Sequence, residues 1–292
     1  MNTASPLRAG AEAEAARFPA LLARAGHLAQ SVLLGEHGRR CAGTGDDFWQ
    51  YRPVQPGDSR RMIDWRRSAR SDAQFVRQRE WQIAQSVMLW VDDSAAMRFA
   101  SDDNLPQKAD RARLLALAVA ILLNRGGERV GLTGAALPPR RGAAQIARLA
   151  TAFLSESTAD YGAPDLGGLP AQGRALLVSD FMGDIEAVRR ALTMAADRGV
   201  RGILLQVLDP VEEAFPFRGR MIFESVGGSL AHETLKASHL RDKYRARLAA
   251  RKAELDEICG RTGWRFDCHH TSSSAQSALL WLYQAFEQGA PT

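Results

Sequence analysis

Two apolar runs in this sequence end in carboxylates. The first, VMLWVDDSAAM (Val87 to Met97), passes from Val91 into Asp92, Asp93 and Ser94. The second, ALLVSD, ends in Ser179 and Asp180, with Asp184 one turn later. Carboxylate and hydroxyl oxygens are hard ligands, suited to Mg²⁺ or Mn²⁺ rather than zinc. If both runs are strands of one sheet, their ends converge on a single crevice and Asp92, Ser94 and Asp180 share it. A second reading serves the same residues: each carboxylate caps the helix that follows, where the dipole favours negative charge.

Other candidates for chemistry are sparser. His269 and His270 follow the last apolar run, at the crevice rim or as a satisfied pair. Ser94 has no accompanying His–Asp pattern, which argues against a hydrolase nucleophile. In the pair Asp92-Asp93 the second acid is adjacent, which departs from the spacing of a phosphotransfer aspartate. Neither a Walker loop nor a nucleophile elbow is present.

From Arg39 to Glu80 the chain places ten arginines among six acids. Within this stretch Asp58 and Asp64 stand close in sequence to Arg52, Arg60, Arg61, Arg66, Arg67 and Arg70. Guanidinium groups form planar bidentate pairs with carboxylates. The expectation is a partly buried network, with Asp64 on Arg52 or Arg70 and Trp65 in a core or interface. The alternative is a surplus of arginine offered to an acidic partner or a nucleic acid. The interspersed acids, and a total of only four lysines in the chain, weaken the nucleic-acid reading.

The elements that position these residues follow from periodicity. Residues 11–34 read as one or two amphipathic helices, and residues 38–84 as short strands and turns around Pro56-Gly57-Asp58. Beyond Gln85, strands are expected at 86–91, 129–134, 175–180, 202–208 and 264–268. Helices are expected at 105–124 (through Pro106), 143–154, 185–198, 232–259 and 275–286. Apolar strands alternating with helices imply a doubly wound α/β domain with a mainly parallel sheet, whose ligands bind at the strands' carboxyl ends. The expected organisation is a helical segment (1–37), an Arg-rich β subdomain (38–84) and the α/β domain (85–292), with a β-hairpin insertion at 209–228.

Length and composition bound the rest. The chain has 292 residues, is 46% hydrophobic and carries a formal charge of +5, enough for a substantial core. No apolar run reaches the ~18 residues of a membrane helix, and the first residues do not read as a secretory signal. Cys41, Cys259 and Cys268 are odd in number and lack metal-type spacing, so free thiols and a cytoplasmic location are expected.

The motif at Asp92-x-Ser94 resembles the opening of a von Willebrand factor A domain, whose metal-ion-dependent adhesion site reads Asp-x-Ser-x-Ser with a Thr and an Asp from later loops. Asp92, Ser94 and Asp180 match; Ala96 replaces the second Ser, and the Thr position aligns with Pro164, Thr158 lying six residues too early. The preceding Gly45, Phe48, Tyr51-Arg52-Pro53, Pro56-Gly57-Asp58, Arg61, Ile63-Asp64-Trp65 and Ser68-Ala69-Arg70 resemble the domain of unknown function 58 family. That resemblance, over roughly residues 35–290, implies a von Willebrand factor A-like fold with an N-terminal β-rich subdomain. It also implies an adaptor role alongside a MoxR-type AAA+ ATPase and its client. The metal site then reads as degenerate, holding Mg²⁺ or Mn²⁺ weakly. Partner contacts fall to Asp92, Asp93, Ser94, Asp180, Asp184 and His269, and the structural network to Arg52, Asp58, Arg61, Asp64, Trp65 and Arg70. The competing function is a Mg²⁺-dependent phosphohydrolase or nuclease built on Asp92, Asp93, Asp180 and Asp184.

Overall fold

A computed structural model describes residues 19–32, 42–56, 58–70, 73–80, 85–134, 137–217, 219, 221–224, 231–234 and 237–288. Cys41, Gly57 and the expected helical residues 11–18 lie outside them. The chain divides into two compact units: residues 35–84, and residues 1–34 together with 85–292. The first described element of the larger unit is helix α1 (19–32), which buries Ala25 and Ala29 in the core of that unit.

In the smaller unit, strand β1 (Ala42–Pro53) pairs antiparallel with β2 (Phe75–Glu80), with register shifts between Gly43 and Gln50. Between them a single turn at Arg60–Met62 leads to the short helix α2 (Trp65–Ser68). Asp64 caps α2 by accepting from the Arg67 amide. The Ser68 hydroxyl closes the loop, donating to the Asp64 carbonyl and accepting from the Phe75 amide. Ile63 bridges to Val76, and both are buried. Arg52 pairs bidentately with Asp58, at 2.6 and 2.7 Å, rather than with Asp64. The local reason is the turn at Pro56: the Asp58 amide bonds back to the Gln55 carbonyl, which swings the Asp58 carboxylate under Arg52. Trp65, expected to be covered, is 56% exposed.

The larger unit is built on a six-stranded sheet. Its strands are β3 (Ser86–Val91), β4 (Arg129–Leu132), β5 (Leu137–Arg140), β6 (Arg174–Ser179), β7 (Arg201–Leu208) and, near the C-terminus, β10 (Arg265–His270). Their order is β10-β7-β6-β3-β4-β5, parallel except for the antiparallel edge strand β5. Residues alternate between two buried faces. Val87, Leu89, Leu176, Val178, Ile203 and Leu205 pack on α1, α3 (Lys108–Arg125), α4 (Ala143–Ala152) and α8 (Ala275–Gln288). Met88, Ala175, Leu177 and Leu204 pack on α5 (Ile185–Asp197) and α7 (Ala237–Thr262). Burial on both faces explains why the strands read as continuous apolar runs.

Helix α3 is apolar almost all round because it lies inside the first of these layers. It starts at Lys108 rather than at Leu105: Gln107 is the N-cap residue, without a side-chain bond to the first turn, and Pro106 lies outside. At Gly131 in β4 a Cβ would come within 2.8 Å of the Leu137 carbonyl, so glycine lets β5 close onto the sheet.

The segment after β7 corrects one expectation. Instead of a hairpin from residue 209, helix α6 (Pro210–Ala214) comes first, and the hairpin strands β8 (Met221–Glu224) and β9 (Ala231–Thr234) follow. The cause is local. Asp209-Pro210-Val211-Glu212 forms a reciprocal capping box with proline at the first helical position. His232 consequently lies in β9, and the long helix begins at Ala237.

Candidate functional site

In chain order the sheet grows from β3 to β4 and β5, then returns to the other side of β3 with β6. The β3/β6 boundary is thus the topological switch point, where crossovers leave a crevice at the strands' carboxyl ends. Asp92 follows β3 and Asp180 follows β6, which brings both to that boundary.

Asp92 is 2% exposed and accepts one hydrogen bond on each oxygen. Its Oδ1 accepts from the Ser94 amide at 2.9 Å, and its Oδ2 from the Ser179 hydroxyl at 2.6 Å. Burial pushes its carboxyl up, against the pull of those hydrogen bonds and with the help of the nearby Asp180 charge. The Ser94 hydroxyl, also buried, makes no hydrogen bond of acceptable geometry, though it is close enough to favour the Asp92 carboxylate.

The loop at 157–162 is knitted over this corner. Ala95 and Ala96 donate to the carbonyls of Ala159 and Asp160, and Ser157 donates to the Asp93 carbonyl. Arg98 adds a bond to the Ser157 carbonyl. Gly162, not Pro164, is the residue of this loop that meets Asp92. A Cβ on Gly162 would lie 2.3 Å from Asp92 Oδ1 and 2.8 Å from Oδ2, closer than any real contact. The backbone therefore closes directly on the carboxylate.

Asp180 has a cation already. Lys108 Nζ lies 2.8 Å from its Oδ2 and 2.6 Å from Glu212 Oε1. Lys108 is 1% exposed, among the largest fully buried side chains. Burial alone would depress its ammonium, but the charges of Asp180 and Glu212 outweigh burial and raise it, so it stays protonated. The remaining Asp180 oxygen accepts from the Met182 amide, and Gln206 donates to the Asp180 carbonyl. Glu212 also accepts from the Asp209 amide within the capping box, while Asp209 accepts from Ser101. Lys108 thus ties α3, the end of β6 and α6 together.

A cleft of about 780 Å³ opens beside this triad. Ala96, Asp160 and Tyr161 form one wall, Phe215 and Phe217 another, and α7 contributes Tyr244, Arg247 and Arg251. Phe215 stacks 4.7 Å from Tyr244 and meets Phe217 edge-on at 5.1 Å. Burial pushes the Tyr244 hydroxyl up to about 12. Arg251 spends one nitrogen on the Phe181 and Gly183 carbonyls, and Tyr161 is 44% exposed at the mouth. The wall is aromatic with a few placed polar groups, the usual make-up of a binding cleft.

The other sequence candidates go elsewhere. Asp93 accepts from Ser155 and lines a separate hollow of about 310 Å³ with Thr133 and Asp165. Asp184 caps α5 through the Glu186 amide and pairs with Arg190 at 3.6 Å on the surface. The four aspartates of the hydrolase reading are therefore not brought to one cavity. His269, expected at the rim, is 6% exposed. Arg111, which can only donate, sits 2.9 Å from its Nε2, so that nitrogen accepts and the ring is neutral. Burial, reinforced by Arg111, brings His269 down to about 4. His270 instead bonds Glu213, which also holds Lys252. Cys259 and Cys268 are thiols pushed up by burial, to about 12 and 11.

Sequence reasoning missed Lys108, Glu212, Gly162 and the aromatic wall. Two signals were present. Lys108 is one of four lysines and stands at the start of an apolar helix, the end least suited to a positive charge. Asp209-Pro210-Val211-Glu212 spells a capping box.

The donor set does not suit the divalent ion of a metal-ion-dependent adhesion site. Asp92 already accepts a hydrogen bond on each oxygen, the loop backbone closes on it, and Asp180 faces an ammonium. Among the described residues no helix is long and apolar enough to cross a membrane.

The family described as "Protein of unknown function DUF58" matches residues 50–254, and the chain belongs to it. Uncharacterized proteins of Mycobacterium bovis and Mycobacterium tuberculosis are 29% identical over 239 residues, covering 77% of this chain and 74% of theirs. Among solved structures, a conserved hypothetical protein BatB from Bacteroides thetaiotaomicron aligns over 70% of this chain and 100% of its own, at 16% identity and a TM-score of 0.37. An aerotolerance-related membrane protein from Bacteroides fragilis aligns over the same shares, at 14% identity and a TM-score of 0.40. Both scores are below the level at which a shared fold is established.

Proposed function

We propose that this member of the DUF58 family is a von Willebrand factor A-like adaptor that docks a partner protein in the aromatic cleft at the β3/β6 switch point. The partner suggested by the family resemblance is a MoxR-type AAA+ ATPase or the client it acts on. The observation that carries the reading is the cleft itself: preformed, walled by Tyr161, Phe215, Phe217 and Tyr244, and edged by the exposed Arg247. Rigid aromatic side chains flanked by arginine are the residues that dominate binding energy at protein interfaces. Asp92 and Ser94 do not touch the partner in this reading. They fix the turn that shapes one wall, and Asp180 acts through Lys108.

The test uses surface residues of the cleft, whose replacement spares the core. Tyr161→Ala and Arg247→Glu should each weaken association with the MoxR-type ATPase of the same source organism at least tenfold, measured by biolayer interferometry. Thermal melting should be unchanged. Both variants binding as tightly as the parent would defeat the proposal.

A further inference from the structure

We infer that the ammonium of Lys108 is the resident cation of the strand-end site, built into the chain where the related adhesion sites take up a divalent ion. The site is then complete without metal. Four observations meet on this point. Asp180, the residue matching the last ligand of the metal motif, gives one oxygen to Lys108 at 2.8 Å and the other to a backbone amide. Glu212, from the first turn of α6, gives a second carboxylate oxygen to the same ammonium at 2.6 Å. The ring of Phe99 lies 5.9 Å from Nζ on a further side. The approach through Asp92 is closed by Gly162.

The chemistry of the exchange is coherent. Two carboxylate oxygens on one small cation are what a hard divalent ion would also ask for. An ammonium is a compact point charge with three donors on a flexible stem, so it can occupy an ion's position without imposing coordination geometry. It differs in two respects. It cannot dissociate or be chelated, and it carries one charge where two carboxylates present two. Glu212 supports the leftover negative charge by accepting from the Asp209 amide in the capping box of α6. Removing the lysine stem should leave a cavity with two carboxylate oxygens turned into it, one from Asp180 and one from Glu212. That is the outline of a metal site.

The inference bears on docking but does not depend on it, because the readout is ion binding without a partner. Mn²⁺ is titrated into the full chain, with free ion followed by electron paramagnetic resonance. Wild type should show no saturable binding at millimolar ion, and its melting temperature should not respond. Lys108→Ala should gain a saturable site at least tenfold tighter than any wild-type signal, with a Mn²⁺-dependent rise in melting temperature. Adding Asp180→Asn should abolish that gain. If Lys108→Ala refolds only when Mn²⁺ is present, that also supports the inference. Saturable binding by wild type that Asp180→Asn removes would overturn it, and the wild-type titration decides alone if Lys108→Ala folds under neither condition. A folded Lys108→Ala that binds no better than wild type would overturn it as well.

Discussion

The strand-end cluster and the arginine-rich unit both set carboxylates against cations, but the cation is sealed from water in the first and partly exposed in the second. Lys108, with its side chain 1% exposed, must keep both Asp180 and Glu212, because an unpaired charge there has no water to turn to. Arg52 and Asp58 form a better-shaped pair, bidentate and planar, yet they remain partly in solvent. The side-chain hydrogen bond from Arg52 holds Asp58 down at about 2, but water competes for both partners. Geometry makes the second pair, and desolvation makes the first one indispensable.

That contrast should be largest at Lys108. Lys108→Met leaves the buried Asp180 and the partly exposed Glu212 without their cation and should cost ~3–5 kcal/mol in urea denaturation. A loss below ~1 kcal/mol would mean that water reaches the cluster and that the two regions do not differ in kind.

A buried group that must remain neutral gives a pH signature. His269 titrates at about 4 in the folded chain, below the ordinary 6.5, so the unfolded chain takes up the proton first. Its contribution is intact above pH 6.5 and is lost as pH falls toward 4, by up to about 3 kcal/mol. Denaturation curves across that window should slope less in His269→Gln than in the parent, and equal slopes would show that the ring is hydrated.

Gly162→Ala asks how tightly the loop is sealed over Asp92. A Cβ cannot fit 2.3 Å from Oδ1, so the loop must lift, at ~1–3 kcal/mol. A stable variant whose loop amides exchange at the parental rate would refute the seal.

In the arginine-rich unit the effects should shrink. Asp64→Ala removes the cap of the four-residue helix α2 and a bond from Tyr51, a loss of ~1 kcal/mol. Asp58→Asn should leave the melting temperature within about 2 °C of the parent. A larger shift from Asp58→Asn than from Lys108→Met would invert the comparison.

The sheet was readable because burial on two faces writes continuous apolar strands, and two of the helices are stopped by glycine, Gly126-Gly127 after α3 and Gly199 after α5. Asp92 and Asp180 could be placed at strand ends for the same reason. What those ends hold was not readable. Lys108 is 72 residues from Asp180 and 104 from Glu212, so its partners are set by topology rather than by local pattern. Pairing in the arginine-rich stretch was ambiguous because several arginines lie within reach of each acid. The turn at Pro56 chose Asp58 for Arg52. Exposed Trp65 looked like core because aromatic identity alone does not report solvation.

One of the two outer strands of the sheet, β5, has a bearing on how the chain keeps company with itself. A parallel sheet ending in a bare strand would offer a row of amide donors to any extended segment that drifts by. Here the last strand is Leu137-Pro138-Pro139-Arg140, running antiparallel and four residues long. Two consecutive prolines remove two donors, and Arg140 adds a charge, so a second molecule finds too short a template to extend. Resistance to pairing at this edge therefore rests on four residues remote from the switch point. Replacing Pro138 and Pro139 with β-formers such as Val and Thr should produce a protein that melts normally but precipitates on concentration.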